Sequence, residues 1–262
     1  METNPARSAP DLLRSITAPI AVLVGLVLAL AWYATWSTSG WAMMLLHPTI
    51  TAAGPIAFGT FLAILVVMMV AMMLPSALPM IVAHRGLTRL ESGKPVKPAD
   101  NLATLLFVLP YFLVWGAFSV LALLGLVALG LAGAGMPMAG GYALAAAGIV
   151  LAAGVYQFTR PKDACLAECE SPMRFVMRHW RSGRTGALRM GMRHAMYCIG
   201  CCWLFMLVLF VAGAMSLLWM GIISVGIFAE KVGSDRGPMS RIIGGLLLVF
   251  GAVLIAQYFL AG

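Results

Sequence analysis

The chain has 262 residues, of which 62% are hydrophobic and only 10% are charged. Its mean hydropathy of +0.97 excludes an ordinary soluble globular domain, because apolar runs of about 20 residues mark transmembrane helices. The formal net charge of +8 comes from basic residues that lie beside apolar segments. Membrane orientation accounts for that distribution, so the charge does not indicate a nucleic-acid partner.

The apolar segments predict an all-α polytopic membrane protein, a bundle of about seven transmembrane helices in a single integral membrane domain over residues 1–262. The stretch 196–229 has no charged residue and would be about 50 Å long as one helix. The hydrocarbon core is only about 30 Å thick. Because basic residues flank this stretch on both sides, we predict a hairpin that turns near Gly213, or a re-entrant pair of helices. The predicted spans are 17–36, 56–83, 102–133, 139–158, 196–213, 215–230 and 242–260.

The basic residues predict the orientation of the chain in the membrane. All 17 Lys and Arg residues fall in the N-terminal tail or in the segments 84–100, 160–195 and 231–241, whereas the predicted outer loops 37–55 and 134–138 have no charged residue. Basic loops stay in the cytoplasm. We therefore expect a cytoplasmic N-terminus, an external C-terminus and a basic cytoplasmic loop at 160–195.

All five cysteines fall in two short stretches, Cys165 with Cys169 and Cys198 with Cys201 and Cys202. Both stretches lie where a predicted span meets the basic segment 160–195. The cytoplasm keeps thiols reduced, so we expect metal ligands or redox thiols rather than structural disulfides. Soft thiolates select Cu(I), Zn(II) or iron–sulfur clusters, and imidazole suits zinc and copper.

Helical spacing predicts which of these residues converge. At the cytoplasmic start of the fifth span, His194, Cys198, Cys201 and Cys202 would share about a 100° arc of one helix face. A second, short helix is predicted to begin after Thr159 as its N-cap and to turn both of its cysteines the same way. The predicted metal ligands are Cys165, Cys169, His194, Cys198, Cys201 and Cys202.

Methionines form a second, weaker set of candidate ligands. The second predicted span contains five of them between residues 68 and 80, around Pro75 and Pro79, which are expected to kink the helix. Methionine is an adaptable core residue, but its thioether also binds Cu(I). The secondary candidates are Met72, Met73 and Met206.

Several charged and polar residues are expected to have ordinary roles. Glu230 and Lys231 close the sixth span and are expected to form an interfacial pair with a snorkelling lysine. The alternative is a carboxylate that faces the bundle near the cysteines. His84 and His179 lie among basic residues and are expected to be solvated, while the segment 174–193 is expected to lie on anionic lipid headgroups.

Three segments carry motifs that resemble one family. They are residues 71–79 with their methionines and prolines, residues 156–172 with the first cysteine pair, and residues 191–231 with the Gly-Cys-Cys-Trp core at 200–203. Over roughly residues 55–232, the chain resembles the bacterial predicted metal-binding integral membrane proteins, domain of unknown function 2182. The resemblance implies a bacterial inner-membrane protein that binds metal, and some relatives are described as copper chaperones.

Together these observations predict a soft-metal-binding membrane protein, with Cu(I) favoured and zinc as the other candidate, that handles, delivers or transports the metal. Two alternatives stay open: a membrane thiol–disulfide or electron relay that uses Cys198 and Cys201, and an accessory or assembly subunit with a structural zinc site. The expected partners are the lipid bilayer and a metal-donor or metal-acceptor protein. No nucleophilic triad, phosphate loop or dinucleotide fingerprint indicates an enzyme.

Overall fold

The computed structural model describes residues 9–45, 54–90, 100–128, 141–213, 216–232 and 238–261. Every secondary-structure element within these ranges is a helix, which confirms the predicted all-α class. In chain order the helices are α1 (Ala9–Leu45), α2 (Gly54–Leu90), α3 (Asn101–Ala128), α4 (Gly141–Tyr156), α5 (Arg160–Glu170), α6 (Pro172–His179), α7 (Gly183–Gly213), α8 (Leu217–Val232) and α9 (Pro238–Ala261).

Five of the described helices, α1, α2, α3, α7 and α9, are long and apolar enough to cross a membrane. A sixth crossing results if α4 and α5, which meet at a bend of 68°, form one broken span. Helix α8 has 16 residues and is therefore about 24 Å long, shorter than a hydrocarbon core of about 30 Å. The chain is an all-α polytopic membrane protein, while the count of seven spans and the sides of its termini stay predictions.

The segment predicted as a basic loop, 160–195, is instead helical over most of its length. It contains α5, α6 and the first turns of α7, because a helix retains its backbone hydrogen bonds where its side chains cease to be apolar. Thr159 occupies the predicted N-cap position, but its side chain does not cap α5. Its hydroxyl donates instead to the carbonyl of Tyr156 at 2.7 Å.

Helix α7 lies at the centre of the bundle and packs against α3, α4, α5 and α8, while α2 packs against α1, α3, α6 and α8. The apolar part of α2 is 61% buried inside the bundle, whereas that of α9 is only 11% buried. Helix α9 is therefore peripheral, and its exposed side chains are available to lipid. At Gly191 the backbones of α3 and α7 approach so closely that a Cβ would overlap the carbonyl oxygen of Phe107. The buried polar and sulfur-containing side chains of the candidate site lie among α2, α3, α5, α7 and α8.

Candidate metal centre

Three thiols of α7 lie together inside the bundle. The sulfur atoms of Cys198, Cys201 and Cys202 all lie within 4.8 Å of one another, and all three residues are buried. The helix causes this grouping, because residues three and four apart share a face. Two sulfur atoms that bind one ion at about 2.3 Å each lie at most about 4.6 Å apart, so small shifts would let one ion bridge them.

A fourth thiol and one thioether reach this group from neighbouring helices. The Sγ atom of Cys169 on α5 lies 4.0 Å from that of Cys201, and the Sδ atom of Met73 on α2 lies 4.0 Å from the Sγ atom of Cys202. Both residues are buried. We call these five residues, Cys169, Cys198, Cys201, Cys202 and Met73, the sulfur-donor cluster.

Cys165, the remaining cysteine, is half-buried, unlike the other four. A Cβ at Gly200 would lie 2.5 Å from the Sγ atom of Cys165, so glycine allows α5 to approach α7 at this point. The Tyr156 hydroxyl donates to the carbonyl of Gly200 at 2.6 Å and holds the same contact. This close approach brings Cys169 to Cys201 and leaves Cys165 on the outer side of the cluster.

The ring of His194 lies in an aromatic stack. It is parallel to Tyr111 at a centroid distance of 5.6 Å and to Phe107 at 6.0 Å, and it is outside the group of three thiols that lie within 4.8 Å. The residue is buried, and neither ring nitrogen has a hydrogen-bond partner in the described structure. His194 is thus one helical turn from Cys198, with both nitrogens unused.

The expectation that His84 is solvated is wrong. The residue is 1% exposed. Its ring stacks on that of Phe107, which belongs to the same aromatic stack as His194, with the ring centroids 4.3 Å apart. His179 is half-buried and lies beside the ring of Phe175 and the carboxylate of Glu168. Both differences arise because α6 folds back against α2 and covers surface that the sequence assigned to an open loop.

Cys198 contacts polar side chains of two other helices, Lys231 on α8 and Tyr111 on α3. The Nζ atom of Lys231 lies 3.1 Å from the Sγ atom of Cys198 and also 3.1 Å from the Oγ atom of Ser76. The Tyr111 hydroxyl lies 3.4 Å from the same sulfur and donates to the carbonyl of Met73 at 3.2 Å. All of these residues are buried, so an ammonium group directly faces a thiol inside the bundle.

The expected interfacial pair of Glu230 and Lys231 is also wrong, because both residues are buried and do not pair with each other. Glu230 accepts a hydrogen bond from Lys162 on α5, with the Nζ and Oε2 atoms 2.7 Å apart. Lys162, which lies in the segment predicted to be a basic cytoplasmic loop, is 1% exposed and also donates to the carbonyl of Cys201 at 2.5 Å. The carboxylate of Glu230 therefore faces the interior of the bundle, as the alternative prediction for this residue stated.

The secondary candidates differ in position. Met73 belongs to the sulfur-donor cluster, whereas Met72 and Met206 pack in the apolar core and are at most 1% exposed. The carbonyl of Met72 accepts a hydrogen bond from the Ser224 hydroxyl at 3.2 Å, which ties α2 to α8. Helix α2 continues through Pro75 and Pro79 as one element.

The donor set fits a soft metal ion. Thiolate and thioether sulfurs and imidazole favour Cu(I), with Zn(II) as a second possibility for thiolates and imidazole. Hard cations such as Mg²⁺ and Ca²⁺ prefer oxygen ligands, but the neighbouring carboxylate of Glu230 already pairs with Lys162. The unused ring nitrogens of His194 are a further buried donor that a bound metal could satisfy.

Sequence reasoning missed three residues that surround the cluster: Tyr111, Lys162 and Ser76. A tyrosine in an apolar helix has no distinctive pattern. Ser76 and Lys162 did have a signal, because they lie within the motifs 71–79 and 156–172 that carry the resemblance.

The chain matches a family model described as PpoB2, copper chaperone, over residues 62–254. The matched region contains all five cysteines and Met73, together with Lys162 and Lys231. No curated protein and no solved structure matches the chain. The family match covers most of the chain and agrees with the soft-donor chemistry of the buried cysteines, so this polytopic membrane protein belongs to the PpoB2 copper chaperone family.

Proposed function

We propose that this protein binds Cu(I) within the membrane through its sulfur-donor cluster and exchanges the ion with another metal-handling protein. The membrane would be the inner, cytoplasmic membrane of a bacterium, with the cluster near the cytoplasmic side. The role is handling, delivery or transport of copper, in which the ion is cargo. Cys169, Cys198, Cys201 and Cys202 are the proposed primary ligands, with Met73 as an additional sulfur donor.

The observation that carries this proposal is the grouping of four buried thiols from two helices. Three thiols lie within 4.8 Å of one another and the fourth lies 4.0 Å from Cys201. Packing alone gives no reason to gather four buried thiols from two helices at one place. Cu(I) accepts two or three soft ligands, so four thiols provide more than one ligand set and allow the ion to pass between them.

Two further candidate ligands suit the exchange of copper. Cys165 is half-buried on the same helix as Cys169 and could receive or release the ion at the outer side of the cluster. His194 lies one helical turn from Cys198 and has unused ring nitrogens. We propose that these two residues assist transfer, and that stable binding depends on the thiols inside the bundle.

Elemental analysis of the protein purified anaerobically in detergent tests this proposal. We expect about one or two copper ions per chain and loss of the copper in the double variant Cys201→Ser/Cys202→Ser. The matched control is Cys165→Ser, which removes a thiol outside the closest group and should retain the equilibrium copper content. Full copper occupancy in the double variant would overturn the proposal.

Two other results would favour the alternatives. Zinc in place of copper, together with unfolding when the cysteines are replaced, would favour an accessory subunit with a structural zinc site. Absence of metal, with thiols that react in pairs, would favour a redox relay. In cells, a copper content that does not respond to expression of the protein would argue against transport but would leave delivery to a partner intact.

The redox relay has one specific observation in its favour. The Sγ atoms of Cys169 and Cys201 lie 4.0 Å apart on different helices, so a modest approach of α5 and α7 would reach the disulfide length of about 2.05 Å. This cross-helix pair is better suited than Cys198 and Cys201, which lie on one rigid helix. Peptide mapping without reductant would find a Cys169–Cys201 bridge if the relay operates.

A further inference from the structure

The buried charges around the sulfur-donor cluster do not balance. The ammonium group of Lys162 and the carboxylate of Glu230 form an ion pair at 2.7 Å. Lys231 is 5% exposed and has Ser76 and Cys198 as its polar contacts, with no carboxylate paired to it among the described residues. One positive charge thus remains inside the bundle, directed at a thiol.

A buried ammonium group requires a counter-charge, because an isolated ion in a low-dielectric interior is strongly disfavoured. The sulfur of Cys198, 3.1 Å away, is the nearest atom that can carry negative charge. At this distance the attraction between an ammonium and a thiolate is several kcal/mol even at an effective dielectric constant of about 20. The arrangement therefore favours an anion centred on the cysteines.

A Cu(I)–thiolate centre is an anion of the required charge. One Cu(I) ion held by two thiolates carries a charge of −1, which the ammonium group of one lysine neutralises. Zn(II) held by all four thiols of the cluster, as thiolates, would carry −2 and leave one charge without compensation. On this basis we propose that Lys231 is the fixed counter-charge of a copper–thiolate centre, which it neutralises in the Cu(I) dithiolate form.

This inference rests on the proposed copper function and adds to it a residue that supplies charge to the metal centre. Lys231 is a positioning residue, since it contacts the ligand Cys198 rather than the metal. Ser76 holds the ammonium group from the other side at 3.1 Å. The pair of Lys162 and Glu230 neutralises itself, so Lys231 is the charge that remains for the metal centre.

Competition of the detergent-purified protein with a coloured Cu(I) chelator, bicinchoninate, tests this role. Lys231→Met keeps the length of the side chain but removes the charge, and we expect its Cu(I) affinity to fall about ten- to a hundredfold, since hydrogen bonds to charged groups contribute about 1.5–3 kcal/mol. Lys231→Arg keeps the charge and should bind within a few-fold of the wild type. A general loss of structure would lower the Cu(I) affinity of both Lys231 variants, so their thermal unfolding is measured on the same samples. A Cu(I) affinity that falls in Lys231→Met and is retained in Lys231→Arg would support the role of the charge.

The outcomes separate this inference from the function on which it rests. Wild-type protein that binds no Cu(I) would overturn both. Copper binding by the wild type that is unchanged in Lys231→Met would overturn only the role of Lys231. X-ray absorption of the copper-loaded wild type needs no variant and gives a second test if Lys231→Met does not fold: two thiolate neighbours per copper, with or without the Met73 thioether, would support the charge balance, and three or more thiolate neighbours would overturn it.

Discussion

The ion pair between Lys162 and Glu230 holds α5 against the sulfur-donor cluster, and its removal should lower the stability of the fold. Its Nζ and Oε2 atoms lie 2.7 Å apart, and the two side chains are 1% and 2% exposed. Removing one partner leaves the other buried without compensation, which typically costs about 3–5 kcal/mol. We therefore expect Lys162→Met to lower the free energy of unfolding by about 3–5 kcal/mol.

A double-mutant cycle isolates the interaction from the packing of the two side chains. Glu230→Gln in the Lys162→Met background removes the uncompensated charge, so the double variant should regain a large part of the stability. Denaturant unfolding of the detergent-solubilised wild type, both single variants and the double variant, followed by tryptophan fluorescence, measures the cycle. Single-variant losses that simply add in the double variant would refute the argument that α5 is held by this ion pair.

Two further substitutions test the packing and the ligand set. Gly191→Ala should lower the free energy of unfolding by about 1–3 kcal/mol, because its Cβ would overlap the carbonyl oxygen of Phe107, whereas Gly245→Ala on α9, which has open space around its Cβ, should have little effect. Equal melting temperatures for these two variants would contradict the close approach of α3 and α7. Met73→Leu should cost less than about 1.5 kcal/mol of stability but lower Cu(I) affinity in chelator competition, whereas Met206→Leu should leave that affinity unchanged. A Met73→Leu variant with wild-type affinity would remove the thioether from the proposed ligand set.

The long helices were predictable because each depends on local sequence. Runs of apolar residues mark the helices that contact lipid. The observed α3, α4 and α9 begin and end within five residues of the predicted spans, whereas α2 continues seven residues beyond its predicted end. The end of α7 at Gly213 agrees with the predicted turn, which followed from a length argument about an uncharged stretch. Hydropathy failed where helices continue beyond the apolar region, as in the first turns of α7.

The grouping of the thiols on α7 was predictable for a similar reason. Spacings of three and four residues bring Cys198, Cys201 and Cys202 to one face of any helix, whatever surrounds it. The surroundings of His194 were not predictable in the same way. Its ring lies in the aromatic stack with Phe107 and Tyr111. Both of those residues belong to α3, which is distant from His194 in the sequence.

The least predictable feature is the position of α5, and it decides the chemistry of the site. Its buried residues are Lys162, Leu166 and Cys169, spaced four and three apart, which is the stripe of an amphipathic helix. A lysine at one end of such a stripe suggests that the stripe faces solvent. Here Glu230, 68 residues later, supplies the missing charge at 2.7 Å and makes burial of the whole stripe favourable. The same contact brings Cys169 to Cys201. The fourth thiol therefore joins the cluster because of an ion pair between distant residues, which local sequence patterns do not predict.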